Sequence, residues 1–257
     1  MMQSFSHYLR HACKRQWAVC NGRCRYFGVF LAAVVMISGA TVAAAEQQVD
    51  LELVLAVDAS GSVDDGEYRL QLKGIAQALT DPQVIRAIRS GARNRIAVNL
   101  LAWGESRRPK DHTGWAIISN QAEAASFAAI VAAFPRRQVG GTGLGDGIAK
   151  SVSSIFENDI VAPRMVVDVS GDGRETPPRD HTVLLPQARA MSIHYGITIN
   201  GLAILNEDPE LDVYYREQMI VGNGAFVEVA ADYVDFARAM KRKLLREIDP
   251  EPVVGMR

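Results

Sequence analysis

The chain has 257 residues, 48% of them hydrophobic and 22% charged, with a formal net charge of −1; these proportions exclude a disordered or fibrous chain and predict one ordinary globular domain. Of its 28 cations and 29 anions, five cations and no anions fall in residues 1–45. The remaining 212 residues therefore carry 23 cations against 29 anions, a formal −6, which argues against nucleic acid as a partner. All three cysteines, Cys13, Cys20 and Cys24, lie in that first segment, so the rest must be held by an apolar core without disulfide or thiol chemistry.

The first segment differs in kind from the remainder. Arg10, Lys14, Arg15, Arg23 and Arg25 precede an apolar run from Phe27 to Ile37, and Ala43-Ala44-Ala45 follows before Glu46. A basic flank, a hydrophobic run and a small-residue site predict a secretory signal peptide cleaved after Ala45, and hence a periplasmic or secreted protein. The alternative is an uncleaved anchor helix over Phe27 to Ala45, which would make the leader the protein's membrane contact. Residues 46–257 are expected to form the domain.

Val49 to Val57 is a nearly continuous apolar run, as in a strand buried on both faces of a parallel sheet. It ends in the small polar turn Asp58-Ala59-Ser60-Gly61-Ser62. Asp64 and Asp65 then suit a helix start, and Tyr68, Leu72, Ile75 and Leu79 give that helix one apolar face. A second strand is predicted over Arg95 to Trp103 and a short edge strand over Trp115 to Ser119. A helix follows over 121–134. The glycine-rich run Gly140 to Gly147 leads into a helix ending near Phe156, and Met165 to Val169 is a strand ending in Ser170-Gly171-Asp172-Gly173. A helix over Val183 to Met191, a strand within Ile193 to Leu205, a helix from Pro209 to Met219 and a strand over Ala225 to Val229 complete the alternation. The last helix is predicted over Asp232 to Arg246, with Val234, Ala237, Met240 and Leu244 on its inner side. Alternating strands and helices specify an α/β fold: a doubly wound, mostly parallel sheet covered by helices on both faces, with one short antiparallel edge strand. Ligands of such sheets bind beyond the carboxyl ends of the strands.

Three polar loops fall at that edge and carry Asp58, Ser60 and Ser62, then Thr142, then Asp172. Two carboxylates and three hydroxyls are hard oxygen donors, the set a Mg²⁺ ion prefers. The buried strand followed by Asp58-x-Ser60-x-Ser62, with Thr142 and Gly171-Asp172-Gly173 in order, resembles the von Willebrand factor A domain over about residues 49–247. Within that family the chain is most similar to a group of exported bacterial proteins of unknown function. The resemblance implies a metal-ion-dependent adhesion site holding one Mg²⁺, Mn²⁺ or Ca²⁺ ion. Ser60, Ser62 and Thr142 would be direct ligands, and Asp58 and Asp172 would bind directly or through water. It also implies a protein partner that offers an Asp or Glu carboxylate. Gly171 departs from the family's usual threonine. Asp168, in mid-strand on the side of Asp172, reads as a hydrogen-bonded structural carboxylate or as support for the metal shell.

Other chemistries fit less well. Gly141 to Gly147 lacks the Lys-Ser/Thr of a phosphate-binding loop, and Ser60 has Asp58 where a nucleophile elbow needs glycine. His112, His181 and His194 have no serine partner by spacing, so no enzyme is expected. A metal-free scaffold domain and a metal-dependent hydrolase are the alternatives. Arg107, Arg108 and Lys110, with Arg136 and Arg137, form two basic loops that would steer an acidic partner if they flank the metal edge, and Lys241-Arg242-Lys243 is expected to face solvent.

Overall fold

A computed structural model describes residues 47–106, 108–176 and 182–248; the leader, Arg107 and His181 lie outside these. In chain order they form β1 (Gln47–Gln48), β2 (Glu52–Asp58), α1 (Asp65–Thr80), α2 (Pro82–Ser90), β3 (Ile96–Trp103), β4 (Asp111–His112), β5 (Ala116–Ile118), α3 (Gln121–Ala132) and α4 (Leu144–Phe156). There follow β6 (Ile160–Val161), β7 (Met165–Gly171), α5 (Leu185–Tyr195), β8 (Thr198–Ile204), α6 (Leu211–Tyr214), a π-helical turn Tyr215–Met219, β9 (Val227–Ala230) and α7 (Phe236–Ile248).

β2 is buried along its whole length because it lies between β3 and β7, both parallel to it. Its alternate residues feed two cores: Leu53, Leu55 and Val57 pack with residues of α1, α2, α3 and α7, whereas Val54 and Ala56 pack with α4, α5 and the π-helical turn. The sheet runs β4-β3-β2-β7-β8-β9, with β5 also antiparallel on β3. From β2 the chain builds outward to β3, then returns across to β7 on the other side. The strand order therefore reverses between β2 and β7, and the loops after their carboxyl ends meet at that point.

The mostly parallel, doubly wound architecture is as expected from the sequence, and the antiparallel strand predicted at Trp115 to Ser119 is β5. Tyr68, Leu72, Ile75 and Leu79 are all buried as the helical spacing requires. Asp64 is the N-cap of α1, its carboxylate accepting from Glu67 N at 2.8 Å while Glu67 reaches back to Asp64 N. The second helix of this crossover, α2, starts at Pro82 under an Asp81 cap and was not separated from α1 by periodicity. The predicted Pro209 to Met219 helix is two short pieces, with Tyr215 fully buried in the second.

α7 corrects two expectations. It begins at Phe236, so Val234 precedes it and is 81% exposed, while Phe236, Met240, Leu244 and Ile248 face the core. Lys243, expected in solvent, is fully buried, with its ammonium 2.7 Å from Asp168 and 2.6 Å from Glu247. Asn200 completes the group by donating to Glu247 at 2.9 Å and accepting from Phe226 N. Asp168 is therefore a structural carboxylate paired with α7. Burial and the neighbouring Glu247 push it up to about 8, against the opposing pull of Lys243. Replacing Lys243 with alanine leaves the buried Glu247 carboxylate without its cation, beside an Asp168 that burial already holds largely protonated at neutral pH. Lys243→Ala is expected to lower unfolding stability at neutral pH by about 3–5 kcal/mol, read by urea denaturation. A loss below about 1 kcal/mol would contradict this account of the pair.

Candidate metal centre

The β2 strand delivers Asp58 to the sheet edge as its last residue, and the chain then turns sharply. Asp58 Oδ1 accepts from Ser60 N at 2.8 Å, which closes the turn, and Gln71 of α1 donates to the Asp58 carbonyl at 3.0 Å. Ser60 Oγ lies 3.3 Å from Ser62 Oγ, and Ser62 donates across 110 residues to Asp172 Oδ1 at 2.8 Å. Asp172 Oδ2 accepts from Tyr233 Oη at 2.9 Å. Four of the five residues singled out in the sequence thus stand in one hydrogen-bonded chain. Ser62 is exposed, whereas Asp58, Ser60 and Asp172 are buried, so the cluster opens outward through Ser62.

Thr142 joins by packing. Its Oγ1 lies 3.6 Å from where a Cβ on Gly173 would sit, immediately beyond Asp172. Its backbone is fixed from three directions: Thr142 N donates to Thr176 Oγ1, Thr176 N donates to the Thr142 carbonyl, and Gly143 N donates to the Gly104 carbonyl. The glycine-rich loop also touches the Asp58 turn directly, Gly61 N donating to the Gly140 carbonyl at 2.7 Å. Any side chain on Gly61 would meet that carbonyl at 2.9 Å. The following glycines serve helix packing: Gly145 N is capped by Glu175, and Gly147 lies flat against Trp103.

The departure at Gly171 has a steric cause. A Cβ there would stand 2.8 Å from Asp58 Oδ2, 2.8 Å from Tyr215 Oη and 3.2 Å from the Trp103 ring. Trp103 and Tyr215, both fully buried, occupy the space that a larger residue would take. They also enclose the carboxylate of Asp58, whose Oδ2 has no hydrogen-bond partner among the described residues. Burial first, and the nearby Asp172 charge second, push Asp58 up to about 7. Burial and the same two carboxylates hold the Tyr215 phenol well above its usual range.

The donor set suits a hard divalent cation. Asp58 Oδ2 is a buried carboxylate oxygen lacking a donor, the Thr142 hydroxyl makes no hydrogen bond to a described residue, and the remaining groups are oxygens. Among the described residues no group of three or more His, Cys, Asp or Glu is placed to hold a metal.

Three of the basic-loop residues, Lys110, Arg136 and Arg137, are held by contacts within the chain. Arg136 spans the Asp58 turn, donating to the Ser60 carbonyl at 2.8 Å, to the Val63 carbonyl, and to Asp65 at 2.9 Å. Lys110 donates to the Glu105 carbonyl at 2.6 Å, and Arg137 is paired with Asp111 at 3.4 Å. Tyr233, Tyr215, Trp103, Gln71 and Thr176 are site residues that the sequence reading did not select. Each reaches the cluster from a distant segment, and none carries a spacing signal.

This topology is a von Willebrand factor A-like α/β fold. Among solved structures, proximal thread matrix protein 1 from the mussel byssus, with a zinc-occupied MIDAS motif, is 16% identical with a TM-score of 0.56, over 79% of this chain and 49% of that one. The open form of the pilus adhesin SpaC from Lactobacillus rhamnosus GG is 14% identical with a TM-score of 0.54, over 79% of this chain and 31% of that one. The chain thus spans a third to a half of the length of these structures, and likeness at such identity speaks for the fold. No curated protein matches the chain. Residues 48–252 match the model of the family described as protein of unknown function DUF1194, and the chain belongs to that family.

Two outcomes test the geometry. Gly171→Ala is expected to cost about 1–3 kcal/mol by crowding Asp58, Tyr215 and Trp103, measured by urea denaturation. Because the folded pKa of Asp58 lies above its unfolded value, its protonated form favours the fold below about pH 4, and that contribution is lost as pH rises through about 7. In chelator, Asp58→Asn should raise the melting midpoint at pH 8 and leave it nearly unchanged at pH 4. Equal shifts at both pH values would rule out a buried ionising Asp58.

Proposed function

We propose that this protein is an exported, divalent-metal-dependent interaction domain, residues 46–257, preceded by a leader over residues 1–45. Asp58, Ser60, Ser62, Thr142 and Asp172 would hold one Mg²⁺, Mn²⁺ or Ca²⁺ ion, and the ion would capture an Asp or Glu carboxylate of a partner protein. The observation that carries this reading is the buried Asp58 oxygen without a donor, in a turn linked through Ser62 to Asp172.

When bound, the cation supplies an electrophilic coordination position that an external carboxylate completes. The protein's own groups do the rest. Ser60 N and Gln71 fix the Asp58 turn, Arg136 clamps its far side, Tyr233 orients Asp172, and Trp103 with Tyr215 keeps water from Asp58. Exposed Ser62 marks the side from which a partner would approach. The description of SpaC as a pilus adhesin and of the byssus protein as a matrix protein with a MIDAS motif supports an interaction role over catalysis. The described residues contain no helix long and apolar enough to cross a membrane.

Trp103 lies beside Asp58, so its fluorescence should change on titration with Mg²⁺ or Mn²⁺. Asp58→Ala is expected to abolish the change, and Thr142→Ala to weaken binding about tenfold or more. In affinity capture, chelator should release the specific partners. Recovery of the same partners with and without EDTA would favour a metal-free scaffold, and turnover of ester or phosphoester substrates would favour a hydrolase.

A further inference from the structure

We propose a second binding site, for a phosphate-bearing anion, in the cleft at the end of the sheet opposite the Asp58 cluster. This cleft, of about 1580 Å³, lies among α2, the starts of β7 and β8, the approach to β9 and the end of α7. The metal cluster sits beyond the other ends of β2 and β7. A seven-residue strand spans roughly 20 Å, so the two sites are separate.

The charge of the cleft runs against that of the molecule. Residues 46–257 carry a formal −6, yet among the described residues every ionisable side chain lining the cleft is an arginine: Arg86, Arg164, Arg242 and Arg246. Two of these are anchored. Arg164 donates to the Glu247 and Ile248 carbonyls at the end of α7, and Arg242 pairs with Glu228 at the rim. The other two are exposed and form no ion pair with a described residue. Arg246 is nevertheless held in place, its guanidinium 3.8 Å over the ring of Phe226. Stacking fixes the plane of the fork and leaves its N–H edge available.

Guanidinium forks match the oxygens of a phosphate in pairs, and a phosphate can satisfy several at once where a single carboxylate balances one. The opening is also far larger than a lone carboxylate requires. A polynucleotide would have to approach against the overall negative charge, so a small phosphate compound or a lipid headgroup suits the cleft better. Both sources present the same chemistry.

The test uses the full-length chain in mild detergent at low ionic strength with EDTA present. Inorganic pyrophosphate is followed by calorimetry, and vesicles of phosphatidylglycerol with phosphatidylcholine are compared with phosphatidylcholine alone by co-sedimentation. The leader's five cations would themselves favour anionic vesicles, so only the part of the preference that is lost in the arginine variants, which carry the same leader, is assigned to the cleft. Pyrophosphate binding, preference for the anionic vesicles, or both is expected, weakened about tenfold in Arg86→Glu/Arg246→Glu and by added salt. Pyrophosphate binding alone identifies a soluble ligand, and vesicle preference alone identifies the headgroup. Arg86→Ala, at an exposed helix position, should show part of the loss even if the double variant fails to fold. Asp58→Ala should leave the binding intact, which separates this site from the metal reading. Absence of both signals, signals unchanged in the arginine variants, or equally tight binding of hexaglutamate would overturn the proposal.

Discussion

A carboxylate buried at the end of the central strand is the constraint around which this molecule is organised. Asp58 stands where β2 stops, behind Trp103 and Tyr215, with one oxygen accepting from Ser60 N and the other without a donor. An ionised group in such surroundings is costly unless a positive partner is supplied. The nearby elements conform to that carboxylate. Glycine stands at 171 because a larger residue would strike its oxygen, and glycine at 61 lets the turn meet the Gly140 carbonyl. Tyr233 and Ser62 hold Asp172 in reach.

The same strand set carries a second ionic centre with the opposite solution. Asp168 of β7 lies four residues before Asp172, which follows the strand, and Lys243 of α7 stands beside it within the chain. One buried carboxylate faces an internal lysine and anchors a helix, while the other has no ion pair with a described residue. Asp168 and Asp58 thus differ in their counter-charge and not in burial, since both are buried.

Charge also divides the two ends of the sheet. Carboxylates and hydroxyls collect at the carboxyl ends of the strands, whereas arginines collect around the starts of β7 and β8 and the end of α7. A net negative domain that gathers described arginines around one cleft, with Glu228 paired at its rim, is spatially polarised.

The order of strands and helices, the parallel sheet, and the grouping of Asp58, Ser60, Ser62 and Asp172 at one edge were legible in the sequence. Burial on both faces imposes long apolar runs, and parallel crossovers send every strand's end to the same side. The sequence also marked Gly171 as a departure, without giving its reason. Tertiary structure alone decided which long side chains turn inward. Helical spacing on α7 allows both Lys243 and its charged neighbours to face water, and only the position of Asp168 across the sheet makes Lys243 a core residue. Tyr215, Tyr233, Arg136 and the arginine cleft were hidden for the same reason: each depends on contacts between segments far apart in the chain, where periodicity and local motif carry no information.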